Sequence, residues 1–193
     1  MRVIAGKVKG RRLKAPKGRA LRPTADRVKE ALFNILPNDL SGQKVLDLFA
    51  GTGNLGFEAL SRGATEALLI DAARWARKAI HENLQAIGLG ERARVWQAPV
   101  LKSIRVLSRR RETFDLIFLD PPYEKDLVGP TLRAIAGAEI LRESGIVVAE
   151  HSVREKVEAN YGPLKLRDQR RYGATLLSFF GLGREEVAKD REI

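Results

Sequence analysis

The chain has 193 residues, with 35 Lys and Arg against 24 Asp and Glu, a formal net charge of +11, 44% hydrophobic residues and no cysteine. This length supports one domain with a sizeable core, and the missing cysteines exclude disulfides and cysteine-ligated metals. No apolar run approaches the roughly 18 residues of a membrane span, and no signal-peptide pattern opens the sequence, so a cytoplasmic location is expected.

Charge is concentrated at the start. Eleven of the basic residues fall in the first 30 positions, against only Asp26 and Glu30 among the acids, so +9 of the net +11 sits there. Apolar Val3, Ile4, Val8 and Leu13 are interleaved with Arg2, Lys7, Lys9, Arg11, Arg12 and Lys14. The pattern predicts two short strands around Gly6 and Gly10, a small basic hairpin. Arg22 extends the basic arm past a loop at 16–23 that contains Pro16, Gly18 and Pro23. A cationic arm on a nearly neutral body is the footprint of contact with nucleic acid phosphates.

Thr24 reads as the N-cap of a helix over 25–36 that stops at Pro37. Strands are then predicted at 45–49, 67–70, 93–97, 114–119 and 145–151, alternating with helices at 54–62, 72–87, 100–107 and 130–136. Residues 165–172 and 175–182, joined at Gly173, read as an antiparallel hairpin. Near-continuous apolar strands alternating with helices give an α/β fold, a mainly parallel sheet covered on both faces.

Two strand ends carry chemistry. Residues 51–56, Gly-Thr-Gly-Asn-Leu-Gly, follow the first of these strands and fit G-x-G-x-x-G, with Asp71 twenty residues after Gly51. A dinucleotide and S-adenosylmethionine would both show this spacing. Asp47 separates them: a carboxylate beside the ligand repels a pyrophosphate and favours the ammonium and sulfonium of the methyl donor. Asp71 could accept hydrogen bonds from ribose hydroxyls or begin the following helix.

The second is Asp120-Pro121-Pro122-Tyr123, after the apolar run 114–119. Two prolines hold the backbone extended and remove two amide donors, leaving carbonyl acceptors. Asp120 adds a carboxylate and Tyr123 a stacking face, which together suit a planar amine such as an exocyclic base amine. Such an amine is a poor nucleophile until hydrogen bonds to Asp120 and the Pro121 carbonyl aim its lone pair. The base must be unpaired or flipped out to reach the site. These four residues do not by themselves choose between guanine and adenine.

His81 and His151, the two histidines, fall in different elements, so no metal site is expected, and His151 reads as structural. Arg109, Arg110 and Arg111 read as a solvated turn, and Trp75 and Trp96 as packing residues.

Taken together, the chain resembles the RsmD family of bacterial 16S rRNA guanine-N2 methyltransferases. The resemblance lies in the opening residues 1–6 and 10–13, the segment Arg22-Pro23-Thr24-Ala25-Asp26-Arg27 and its continuation to Asn34, residues 47–53, 60–64 and 120–123, and Arg171-Tyr172-Gly173. It implies a Rossmann-like class I methyltransferase fold with a seven-stranded, mostly parallel sheet and an antiparallel C-terminal hairpin. The division would be a basic hairpin and linker at 1–23, a methyltransferase domain at 24–183 and a charged tail at 184–193. It further implies S-adenosylmethionine as donor, S-adenosylhomocysteine as product, and 16S rRNA in the small ribosomal subunit or an assembly intermediate as partner, with the enzyme a monomer. Asp47, Phe49, Gly51, Gly53, Asn54 and Asp71 would line the donor site, with Thr24 and Arg27 closing over it. Asp120, Pro121, Pro122 and Tyr123 would form the catalytic pocket. Adenine recognition would rest on Gln97 or on backbone groups near Ala98, because Gln97-Ala98-Pro99 lacks the acidic residue common after the third strand. An adenine-N6 methyltransferase, a non-catalytic RNA-binding assembly factor and, more distantly, a nicotinamide oxidoreductase are the competing readings.

Overall fold

The computed structural model describes residues 1–15, 23–122 and 125–183, with side chains of the first helix from Arg27 onward. Arg22, Tyr123, the loop before Pro23 and the 184–193 tail lie outside the described residues, as does the Thr24 side chain.

Helix α1 (Pro23–Ile35) starts on the proline itself instead of behind a Thr24 cap. Proline's fixed φ suits the first helical position, where its missing N–H would have no intrahelical partner anyway. There follow β1 (Lys44–Leu48), α2 (Asn54–Ser61), β2 (Glu66–Asp71), α3 (Arg74–Ile87), β3 (Ala93–Gln97), α4 (Val100–Arg109), β4 (Phe114–Leu119), α5 (Val128–Ala136) and β5 (Leu141–Ser152). The chain closes with β6 (Asn160–Tyr161), β7 (Leu164–Tyr172) and β8 (Thr175–Leu182). Among the described residues no helix is long and apolar enough to cross a membrane.

The strands form one sheet in the order β3-β2-β1-β4-β5-β8-β7-β6. The first five are parallel and the last three antiparallel. The sheet therefore has eight strands where seven are expected from the sequence. The extra one, β6, is two residues long and pairs Asn160 with Lys165 and Tyr161 with Leu164 around Gly162 and Pro163. So short a strand shows no alternation, and its glycine and proline read only as a turn.

Alternate residues of each central strand enter opposite cores. Val45, Leu69 and Phe118 pack with α1, α2 and α3, while Leu46, Leu48, Ile70, Ile117 and Leu119 pack with α4 and α5. The chain winds outward from β1 to β3 and then returns to place β4 on the other side of β1. That reversal opens a crevice at the carboxyl ends of β1 and β4, where open α/β sheets hold their ligands.

The N-terminal arm departs from a regular hairpin. Its two limbs share one bridge, Arg2 with Arg12, backed by Val3 N–H to the Arg11 carbonyl at 3.0 Å and Gly10 N–H to the Val3 carbonyl at 2.8 Å. The reason is that the intervening amides donate elsewhere. Ile4 and Ala5 N–H reach the Glu58 carboxylate at 2.7 and 3.0 Å, and Lys7 and Val8 N–H reach the Ser61 carbonyl and Oγ at 2.8 and 3.1 Å. Asn83 on α3 holds the far limb, accepting Lys14 N–H at 2.7 Å. Val3 and Leu13 join the core, while Arg2, Lys7, Lys9, Arg11, Arg12 and Lys14 all remain exposed.

Glu58 is fully buried and faces Lys29 at 3.5 Å and Arg62 at 3.0 Å. Replacing it with alanine takes the shared carboxylate from two buried cations and two arm amides. A loss of about 3–5 kcal/mol of stability is expected, as for other broken buried ion pairs, and denaturant unfolding at constant slope measures it.

Candidate active site

Register brings the functional strand ends to one level. Leu48 pairs with Ile70 on one side and Leu119 on the other, and Leu119 pairs with Ala149. One residue further along each strand stand Phe49, Asp71, Asp120 and Glu150. The four thus share the rim of the crevice although more than a hundred positions separate the first from the last.

At the end of β1, Phe49 takes a left-handed conformation, φ 63°. Such strain in a non-glycine residue is held only by its surroundings and clusters at functional sites. Here the turn swings the chain so that Ala50 N–H meets the Ile70 carbonyl at 3.0 Å and Gly51 N–H meets Asp71 Oδ2 at 2.9 Å. Gly53, at φ 83°, leads into α2, and a Cβ there would stand 2.5 Å from the Phe57 ring.

Asp47 is buried on β1, with Oδ2 accepting the Gly56 N–H at 2.9 Å near the start of α2. Gly56 permits this approach, since a Cβ would stand 3.2 Å from that oxygen. Burial raises the Asp47 carboxyl to about 7, against the pull of the Gly56 hydrogen bond and with a further push from Asp71. Asp120 is raised well above the usual carboxylate range by burial, then by the charges of Glu150 and Asp47. The carboxyls of Asp47, Asp120 and Glu150 face a common space.

That space is a pocket of about 210 Å³ lined by Met1, Ala15, Lys29, Asp47, Phe49, Ala50, Gly51, Thr52, Asn54, Leu55, Trp75, Asp120 and Glu150. Of the residues singled out in the sequence, Asp47, Phe49, Gly51, Asn54 and Asp120 are brought together on its wall. Gly53, Asp71, Arg27 and Ala98 are not on it. Gly53 shapes the loop from behind. Asp71 holds the loop with Oδ2, while its Oδ1 accepts the Ala73 N–H at 2.8 Å, which also starts α3. Each oxygen keeps a second lone pair for another donor. Ala98 gives its amide to the Asp71 carbonyl at 3.1 Å, and Arg27 is exposed on α1. Beyond Asp120, Pro121 is buried and Pro122 exposed.

Four wall residues are given no role by the sequence, although Met1 and Lys29 fall within segments that carry the family resemblance. Glu150 arrives from β5, Lys29 from α1, and Met1 and Ala15 from the two ends of the arm. Trp75 is a fifth case, for it lies on the wall with its ring beside Gly51, whereas Trp96 packs under the Arg110 guanidinium at 5.2 Å. Arg109, Arg110 and Arg111 are exposed at the end of α4 and in the turn that leads to β4. His151 is buried and satisfied, Nε2 meeting Ser178 Oγ at 2.8 Å and Nδ1 the Ser152 carbonyl at 3.1 Å. Among the described residues no group of three or more His, Cys, Asp or Glu is arranged to hold a metal.

The family model described as conserved hypothetical protein 95 matches residues 1–181. The chain belongs to the RsmD family. Among its relatives, YlbH of Bacillus subtilis, provisionally named an rRNA methyltransferase, is 37% identical over 180 residues, 93% of this chain and 98% of that protein. Ribosomal RNA small subunit methyltransferase D of Escherichia coli is 35% identical over 153 residues, 79% of this chain and 75% of that one. Among solved structures, the Escherichia coli protein yhhF, provisionally named a methyltransferase, superposes with a TM-score of 0.81 at 27% identity, covering 94% of this chain and 97% of that one. The sheet order, the switch-point crevice and these likenesses identify the Rossmann-like class I methyltransferase fold, and in this RsmD-family member the acidic pocket lies at its crevice.

Proposed function

We propose that the protein is an rRNA methyltransferase that uses S-adenosylmethionine to methylate the exocyclic N2 of a guanine in 16S rRNA, in the small ribosomal subunit or an assembly intermediate. The observation that carries this reading is the convergence of Asp47, Asp120 and Glu150 on one pocket. A site whose own carboxylates repel one another is stabilised by a cationic ligand and destabilised by a pyrophosphate. The donor fits that requirement, since its ammonium and sulfonium are the compensating charges, and when bound it supplies an electrophilic methyl group.

The remaining roles fall to the chain. Asp47 and the glycine loop hold the cationic portion, Asp71 accepts from ribose hydroxyls on its unused lone pairs, and Trp75 offers an apolar face beside the loop. Asp120 and the Pro121 carbonyl accept the two N–H groups of the guanine amine, which keeps its lone pair clear of the ring and aimed at the methyl carbon. As the N–C bond forms, the bond from that carbon to the donor's sulfur would break and leave a neutral thioether, and the nitrogen becomes cationic and sheds one proton. Asp120, ionised once a cation occupies the pocket, stabilises that charge and receives the proton. Tyr123 is proposed to stack on the flipped base.

Titration with S-adenosylhomocysteine and with a nicotinamide dinucleotide tests the cofactor assignment. Binding of the former alone is expected, and binding of the dinucleotide alone would remove it.

The exposed cations of the arm are proposed to hold RNA phosphates. Deleting the arm would also remove Val3 and Leu13 from the core, so charge replacement is the cleaner change. Replacing Lys9, Arg11 and Arg12 with glutamine is expected to weaken RNA binding and to flatten its salt dependence by about one logarithmic unit of slope for each phosphate no longer neutralised. An unchanged slope would place the RNA elsewhere.

A further inference from the structure

We infer that Lys29 is a positioning residue that fixes the basic arm over the donor pocket and thereby links RNA contact on the arm to donor binding beneath it; the inference rests on the function proposed above. The Lys29 side chain is almost wholly buried, at 2% exposure. Its ammonium donates to the Arg2 carbonyl and to Asn54 Oδ1, both at 2.7 Å, and lies 3.5 Å from Glu58 Oε2. Arg2 belongs to the arm, Glu58 receives the arm's Ile4 and Ala5 amides, and Asn54 opens α2 directly behind the glycine loop. One desolvated charge therefore joins the arm to the wall of the pocket.

Anchoring alone does not require this arrangement. Ser61 and Asn83 already hold the arm on α2 and α3 through its backbone. Asn83 also reaches the loop, its Nδ2 donating to the Lys14 and Thr52 carbonyls, each at 3.1 Å. What Lys29 adds is a charged link from the first limb of the arm, at Arg2, to Asn54 at the start of α2. The arm is itself part of the pocket: Met1 and Ala15 line it together with Asn54 and Asp47. Its other face presents exposed Arg2, Lys9, Arg11 and Arg12. An element with phosphate contacts on one side and the pocket wall on the other transmits each ligand's preference to the other, and linkage makes the effect reciprocal.

The test uses Lys29→Met, which keeps the long apolar stem and removes the ammonium. Labelled S-adenosylhomocysteine is dialysed to equilibrium against the protein with and without saturating unmodified small ribosomal subunits. In the wild-type protein subunits are expected to tighten binding about fivefold or more, within the usual range of coupling between sites. In the variant both ligands still bind, and the tightening falls below about twofold. A merely structural lysine would weaken both affinities and leave their ratio unchanged. That result, or a wild-type protein that binds both ligands without tightening, overturns the inference. Should the variant fail to fold, Asn54→Ala cuts the same bridge from the loop side and is expected to lose the same coupling; retained coupling there also overturns it. A wild-type protein that binds neither probe would instead remove the proposed function.

Discussion

Replacing Asp120 with alanine is expected to slow methyl transfer by about a thousandfold, the scale of losing one oriented proton acceptor and one electrostatic contact to a developing charge. Donor affinity should change by only a few-fold, because Asp47 and Glu150 still supply negative charge to the pocket. The fold should tolerate the change. Asp120 directly follows β4, and burial together with its acidic neighbours already disfavours its ionised form, so its removal relieves repulsion and leaves the ladder between Leu119 and Leu48 intact. Single-turnover rates with labelled donor, set beside S-adenosylhomocysteine affinity by calorimetry, separate the two effects. A near-wild-type rate would take the chemistry away from this residue. A joint loss of rate and donor binding would make Asp120 a donor ligand instead.

Asp47→Asn is expected to have the opposite profile, with donor affinity falling about a hundredfold, as when a buried charge partner is removed, while the empty protein becomes more stable. The sign follows from the raised carboxyl. Folded Asp47 titrates at about 7 and the unfolded residue near the ordinary 3.8, so between those values the folded state holds a proton the unfolded state has released. Stability from this group therefore falls as pH rises from about 4 to about 7, and above that the cost of ionising it amounts to up to about 4 kcal/mol. Asparagine keeps an oxygen for the Gly56 N–H and carries no charge, so the melting temperature of the variant above pH 7 should rise. Donor binding obeys the same linkage. A cation favours ionised Asp47, so this residue should weaken wild-type affinity by up to about tenfold for each unit below pH 7, and the asparagine variant should lose that share of the pH dependence while keeping the share due to Asp120. A wild-type affinity flat between about pH 6 and pH 8 would rule out the role given to Asp47.

The parts of the site that can be read from the sequence are those where one short segment carries both structure and chemistry. Gly51, Gly53 and Gly56 announce a tight strand-to-helix turn, and Asp47 stands out because an acid inside an apolar strand needs a reason. Asp120 is visible for the same cause, followed as it is by two prolines. The sheet is legible through its apolar strands, apart from β6, which is too short to have a period. What sequence alone does not supply is convergence across the chain. Glu150 reaches the rim only because β5 lies beside β4, and the Glu58 link to Ile4 and Ala5 spans more than fifty positions. Lys29 looks like one more cation of the basic segment until its burial is seen. The arm pattern reads as a self-paired hairpin because alternation reports which side chains face inward and is silent on where the amides go. Here they go to α2.

The most direct measurement supplies labelled S-adenosylmethionine to the protein with unmodified small ribosomal subunits, free 16S rRNA and duplex DNA in parallel, and maps the labelled base. Incorporation into the subunits or their RNA is expected as N2-methylguanosine at a single position, with duplex DNA unlabelled. Label recovered as N6-methyladenine, or no label in any RNA substrate while S-adenosylhomocysteine still binds, would overturn the proposed reaction.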